Sequence, residues 1–218
     1  MEIPRHRLAI LTWGNVSVFD RDGGVFAIKP SGVSYELLSV DDIVIVDLEG
    51  ETVEGRLNPS SDTLTHMVLY NSFEGIGGIV HTHSPYAVGW AQGLEPIVIY
   101  GTTHADHTIH DIPCTPPMSD DQISGNYEEQ TGWQIVNHFK ESELDPVEIE
   151  MVLVGSHGPF TWGKSAAKAV YNAVVLEEVA KMALVTRQVN PGAARLKSSL
   201  RAKHYDRKHG PDAYYGQK

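Results

Sequence analysis

The chain has 218 residues, with 17 Lys and Arg against 28 Asp and Glu, and its net charge of −11 repels a phosphate backbone and argues against nucleic acid as a partner. Hydrophobic residues at 41% and charged residues at 21% fit an ordinary globule with a sizeable core and exclude a disordered or coiled-coil chain. Cys114 is the one cysteine, which excludes an intrachain disulfide and a thiolate-rich zinc finger, and no window approaches the roughly 20 apolar residues of a spanning helix, so a cytoplasmic protein with no membrane or secretion segment is expected.

In chain order, Leu8 to Phe19, Gly24 to Lys29 and Asp42 to Leu48 are short β-branched or apolar runs separated by Gly, Asp and Pro, which predicts consecutive antiparallel strands. A helix follows Ser61-Asp62, where Leu64, Met67 and Val68 recur at helical spacing and either Ser61 or Asp62 suits the N-cap. Gly77 to His83 predicts a strand ending in His-Thr-His, and Pro85 opens a helix over Tyr86 to Gln92. Trp133, Val136 and Phe139 predict a helix around Tyr127 to Phe139. Met151 to Val154 reads as a buried strand, Ser165 to Gln188 as a long helix, and Leu196 to Lys218 as a basic, aromatic tail. No repeat or linker divides the chain, so residues 1–218 are expected to form one α/β domain whose sheet is covered by helices on both faces.

The chemistry concentrates on histidine, of which there are 11, five of them between His81 and His110. In His81-Thr82-His83 the period of two on a strand turns both imidazoles to one side, a chelating arrangement, although a lone His-X-His pair is commonly a surface or satisfied-core feature. His157, just past the strand Met151 to Val154, offers a third imidazole, and three such ligands suit zinc or a similar divalent ion with a position left open for substrate. Ser60-Ser61-Asp62 at a helix start and Lys29-Pro30-Ser31-Gly32 at a strand end each present hydroxyls and amides that could hold an anion, and each alone is weak. Gly158 to Ser165 matches the spacing of a Walker A phosphate loop, but Pro159, Phe160 and Trp162 are too bulky or lack the donor for converging amides, and Gly163 to Ser165 is better read as a turn and helix cap. Asp106, Glu128, His204, Tyr214 and Tyr215 are candidate proton-transfer groups, and by default solvated carboxylates and packing aromatics.

Six segments together resemble the L-ribulose-5-phosphate 4-epimerases of the class II aldolase family: Thr12-Trp13-Gly14-Asn15-Val16-Ser17, Lys29-Pro30-Ser31-Gly32, Pro59-Ser60-Ser61-Asp62-Thr63, Gly77 to Ser84, Thr103-His104-Ala105-Asp106, and His204 to Gln217. The resemblance runs through nearly the whole chain. It implies an α/β/α domain with a central, largely antiparallel sheet, assembled as a C4 homotetramer with active sites at subunit interfaces. It implies a zinc ion, or another divalent metal such as Mn2+ or Co2+, held by His81, His83 and His157 with Asp62 near or on the metal. Gly14, Asn15, Ser31, Gly32, Ser60 and Ser61 would hold a phosphorylated ketopentose, mostly by its phosphate, with Lys29 adjacent. Asp106 and Tyr215 would be the acid/base pair, with Glu128 and His204 in support. The expected reaction is interconversion of L-ribulose 5-phosphate and D-xylulose 5-phosphate in arabinose (pentose) catabolism, by cleavage and re-formation of the C3–C4 bond. A related sugar-phosphate aldolase is the alternative, and the short Asp62, where the related aldolases carry glutamate, favours the epimerase. Family members carry a helix ahead of Leu11-Thr12-Trp13 that this sequence is expected to lack, and the aromatic stretch after His-Ala-Asp is here His107-Thr108-Ile109-His110.

Overall fold

The computed structural model describes residues 2–215, so Gly216 and Gln217 of the C-terminal motif lie outside the described residues. The chain runs α1 (Glu2–Arg5), β1 (Asn15–Asp20), β2 (Val25–Ile28), β3 (Val44–Asp47), β4 (Thr52–Glu54), α2 (Thr63–Ser72), β5 (Gly78–His81) and α3 (Pro85–Gln92). It continues through α4 (Thr102–Ala105), α5 (Asp120–Ser124), α6 (Tyr127–Glu141), β6 (Met151–Val154), β7 (Gly158–Gly163), α7 (Ala166–Val189) and α8 (Ser198–His209). The strands form one seven-stranded sheet in the order β4-β3-β2-β1-β5-β7-β6, and every neighbouring pair is antiparallel. Short turns make this topology natural. The Asp20 carboxylate accepts from the amides of Asp22 and Gly23 between β1 and β2, and that of Asp47 accepts from Glu49 and Glu51 between β3 and β4.

Helices cover both faces of the sheet. Alternation along β6 sends Val152 and Val154 to the face packed by α2 and α6, where they join Ile79, Phe160, Trp162, Leu69, Ile135 and Phe139. Met151 and Leu153 point the other way, to Leu176, Val179 and Ala180 of α7 and Ala87 and Trp90 of α3. Buried on both faces, β5, β6 and β7 are the part of the sheet against which the site is built. No helix among the described residues is long and apolar enough to cross a membrane.

Several boundaries differ from the sequence expectations, each for a local reason. The run from Leu8 becomes a strand only at Asn15, because Leu11 and Gly14 take left-handed φ values of 55° and 70° that break an extended path. A short helix, α1, stands ahead of Leu11 where none is expected, and its Ile3 packs with Leu8 and Tyr35. Gly158 to Gly163, the front of the Walker A spacing, is β7, a fully buried strand, so it has no loop in which amides could converge on a nucleotide. Ser165 does cap α7, its side chain accepting from the Lys168 amide. The three-residue β4 is exposed throughout and carries no apolar signal, and the basic tail contains α8. On α6 the core-facing residues are Ile135 and Phe139 with Thr131 and Gln134, whereas Trp133 is 40% exposed.

Candidate active site

A row of side chains across three central strands anchors the site. Asn15 of β1 lies opposite His81 of β5, which lies opposite Phe160 of β7. The His81 and Phe160 rings stack with centroids 4.2 Å apart, fixing the imidazole plane. Gly14 brings β1 in closely, since a Cβ there would stand 2.7 Å from the His81 carbonyl oxygen, and its φ of +70° suits glycine. Beside the row, Asp62 leads into α2. This residue occupies the N-cap position, yet its side chain makes no capping bond. Instead its Oδ2 accepts from Asn15 Nδ2 at 2.6 Å, which holds the carboxylate over the strand ends. One turn further on, fully buried His66 meets Ser17 Oγ at 2.7 Å, and Ser17 Oγ meets Tyr70 Oη at 2.6 Å. Burial drives the His66 pKa down to about 3 against the pull of the nearby Asp62 carboxylate, so this contact beneath the site stays uncharged.

His81, His83 and His157 converge so that one ring nitrogen from each lies within 4.8 Å of the others. His83 follows the end of β5 and so lies outside the strand whose alternation was expected to place it. The turn still brings its Nε2 to 3.0 Å from that of His81. His81 Nδ1 donates to the Pro159 carbonyl at 2.9 Å, which fixes the tautomer and leaves Nε2 free to bind a metal. His157 reaches the cluster from a tight turn in which Ser156 is left-handed at φ 61° and the His157 amide returns to the Val154 carbonyl. Burial is the leading cause that pushes all three pKa values below the ordinary histidine value, and so favours the neutral imidazole that metal binding requires. Asp62 Oδ2 stands 3.9 Å from His81 Nε2. Three neutral imidazoles with one carboxylate beside them fit a borderline divalent cation.

These groups line a cavity of about 620 Å3 that also contains Gly14, Asn15, Lys29, Ser31, Gly32, Ser60, Ser61 and Glu128. A bridge between Pro30 and Pro59 ties the Lys29-to-Gly32 turn to the Ser60-Ser61 turn. Ser60 is buried and accepts from Asn15 Nδ2, whereas Ser61 and Gly32 are exposed to the cavity. Among the described residues the Gly32 and Ser61 amides have no hydrogen-bond partner, which suits them to an anion. Lys29 is only 2% exposed, and burial lowers its pKa. Its ammonium donates to the carbonyls of Thr12 and Pro30 and lies over the Tyr35 ring, so it braces the turn while adding positive charge behind it.

Asp106, His204 and Tyr215 are not in this cavity. They form a second cluster in which Asp106 contacts His204 Nδ1 at 2.9 Å and takes a paired contact from Arg207 at 3.0 and 2.8 Å. The Arg207 and Lys208 cations lie 4.8 and 4.6 Å from the Tyr215 ring centre. Burial would raise the Asp106 pKa, but hydrogen bonds from Arg207 and His204 and the nearby Lys208 charge outweigh it and hold the carboxylate ionised. Thr12, Trp13, Pro30 and Tyr127 line the cavity without having been singled out as site residues. Of these, Tyr127 had only its place next to Glu128 at a helix start as a signal.

Residues 1–184 match the family described as class II aldolase and adducin N-terminal domain. The chain is 51% identical over 218 residues to the L-ribulose-5-phosphate 4-epimerase UlaF of Salmonella paratyphi A, covering 100% of this chain and 95% of that protein, and to the same degree and extent to that of Salmonella typhi. Among solved structures, an L-fuculose 1-phosphate aldolase superposes with a TM-score of 0.78 at 23% identity, covering 94% of this chain and 90% of that one. The L-fuculose-1-phosphate aldolase of Thermus thermophilus gives 0.68 at 23% identity over 89% and 93%.

Proposed function

Since the chain belongs to the class II aldolase and adducin N-terminal domain family, we propose that it is an isomerase interconverting L-ribulose 5-phosphate and D-xylulose 5-phosphate. The observation that carries this reading is one cavity in which three converging histidines and the Asp62 carboxylate stand beside two anion-binding turns. A divalent ion held by His81, His83 and His157, with Asp62 adjacent, supplies Lewis acidity toward the neighbouring oxygens of a 2-ketose. Zinc suits this donor set, and Mn2+ or Co2+ would also be accommodated.

The other side chains bind and move protons. Ser31, Gly32, Ser60 and Ser61 hold the phosphate, with Gly14 and Asn15 against the sugar and Lys29 behind the turn. Removal of the C4 hydroxyl proton lets the C3–C4 bond break, the phosphate-anchored aldehyde presents its other face, and re-addition inverts C4. Inversion needs one proton-transfer group on each side of the aldehyde. Asp106 and Tyr215 supply them, supported by His204 beside Asp106 and by Glu128 in the cavity. Both members of the pair stand outside the cavity of their own chain, so we assign them to the cavity of an adjacent copy in a C4 homotetramer. Asp62, held back by Asn15, is too short to serve as the base an aldolase would place there. Residues 1–218 act as one domain, in the cytoplasm.

An NMR time course of metal-loaded protein with L-ribulose 5-phosphate tests the reaction. The expected result is D-xylulose 5-phosphate as product, abolished by chelation and restored by metal. Free glycolaldehyde phosphate as the main product would replace the epimerase by an aldolase, and no conversion by metal-loaded tetramer would overturn the reading.

A further inference from the structure

The outer ring nitrogens of the three histidines are not treated alike. His81 is fixed twice, by its bond to the Pro159 carbonyl and by stacking on Phe160. His157 has neither support of that kind. It sits on a left-handed turn, and its Nδ1 meets one protein partner among the described residues, the Tyr127 hydroxyl, at 3.4 Å. The two rings are tilted by 40° with centroids 6.1 Å apart, so the hydroxyl reaches the imidazole without stacking on it.

We propose that Tyr127 is a positioning residue: its hydroxyl accepts from His157 Nδ1, fixes the ring's tautomer and orientation, and so turns Nε2 toward the metal. This rests on the reading of the three histidines as metal ligands. A hydroxyl from a different element does for His157 what a strand carbonyl does for His81. The support is itself well anchored. Tyr127 is the first residue of α6, its carbonyl accepts from Thr131 Oγ1, and the next carbonyl, that of Glu128, accepts from Thr65 Oγ1 of α2 at 2.6 Å. The loop-borne ligand is thereby tied to the helix pair that also delivers Asp62. An outer hydrogen bond of this kind raises ligand basicity and removes ring freedom before the ion arrives, and its loss weakens metal binding by about 10-fold or more.

Tyr127→Phe removes the hydroxyl and keeps the ring. Zinc affinity is measured by competition with a chromophoric chelator, the visible spectrum is recorded with Co2+ in place of zinc, and melting of the metal-free protein reports on the fold. The expected result is an unchanged metal-free melt, a zinc dissociation constant about 10-fold higher, altered Co2+ bands, and conversion that falls at limiting zinc and largely returns at saturating zinc. Unchanged affinity and an unchanged Co2+ spectrum would overturn the assignment of Tyr127 while leaving the epimerase reading intact. Wild-type protein that binds zinc without converting substrate would overturn the epimerase reading, and the affinity of the variant would still decide the role of Tyr127.

Discussion

His104 is 4% exposed on α4, and its ring nitrogens approach backbone groups of His110 and Val98 without closing a hydrogen bond of good geometry. Burial lowers its pKa from 6.5 to about 4, with the Asp111 charge pulling upward and that of His107 downward. A histidine buried neutral binds its proton in the unfolded chain before it does so in the fold. Stability from this group is therefore complete above about pH 6.5 and falls as the pH drops toward 4, by about 3 kcal/mol over the window. His104→Gln should flatten the acid limb of a urea-denaturation series between those pH values. An acid limb as steep as in the wild type would contradict the burial argument. Other single residues differed in how legible they were. His81, His83 and His157 were readable from residue type and nearness to strand ends, although a turn past β5 and not strand alternation brings His83 to the others. Lys29 was half readable: the sequence places it beside an anion turn, but only packing spends its ammonium on the Thr12 and Pro30 carbonyls. The hydroxyl of Tyr127 was invisible, because its partner is 30 residues away.

Helix packing delivers part of the site. A Cβ on Gly132 would lie 2.7 Å from Val68 Cβ and 3.1 Å from the Thr65 carbonyl oxygen, so α6 lies against α2 only with glycine there. Gly132→Ala should cost about 1–3 kcal/mol by overpacking and displace Tyr127 and Glu128 from the cavity. Melting temperature and conversion rate should fall together, and a variant with wild-type values of both would refute the packing argument. The same helix explains a misread face. Thr131 and Gln134 are buried because they bond to the Tyr127 and Pro116 carbonyls, an arrangement that apolar periodicity cannot register, while the larger Trp133 points outward. β5 and β6 were legible as continuous apolar runs. β7 was not, since Pro159, two glycines and a Lys-Ser sequel imitate a loop. Pro159 is nevertheless compatible with a buried strand, where its carbonyl serves His81.

At the scale of the whole molecule, the candidate site residues are divided between two clusters. The cavity has the histidines and the anion turns but neither Asp106 nor Tyr215, while the C-terminal cluster has both of those and lies apart from it. The sequence named residues of both groups, and the family resemblance implied an assembly that would bring them together. It could not say which groups a single chain brings together, because that depends on how α8 docks beside α4 through Asp106 and Arg207. In the proposed tetramer a cavity from one copy would meet the Asp106–Tyr215 cluster of the next, and catalysis would depend on that junction. The direct measurement is NMR-monitored conversion of L-ribulose 5-phosphate by His83→Asn and Asp106→Asn proteins, each alone and then co-expressed. Each variant alone should be nearly inactive. Random mixing should restore roughly a quarter of the sites, those that pair an intact cavity with a neighbour's intact cluster. Co-expressed protein that assembles and carries metal yet converts no more substrate than the single variants would contradict the shared site.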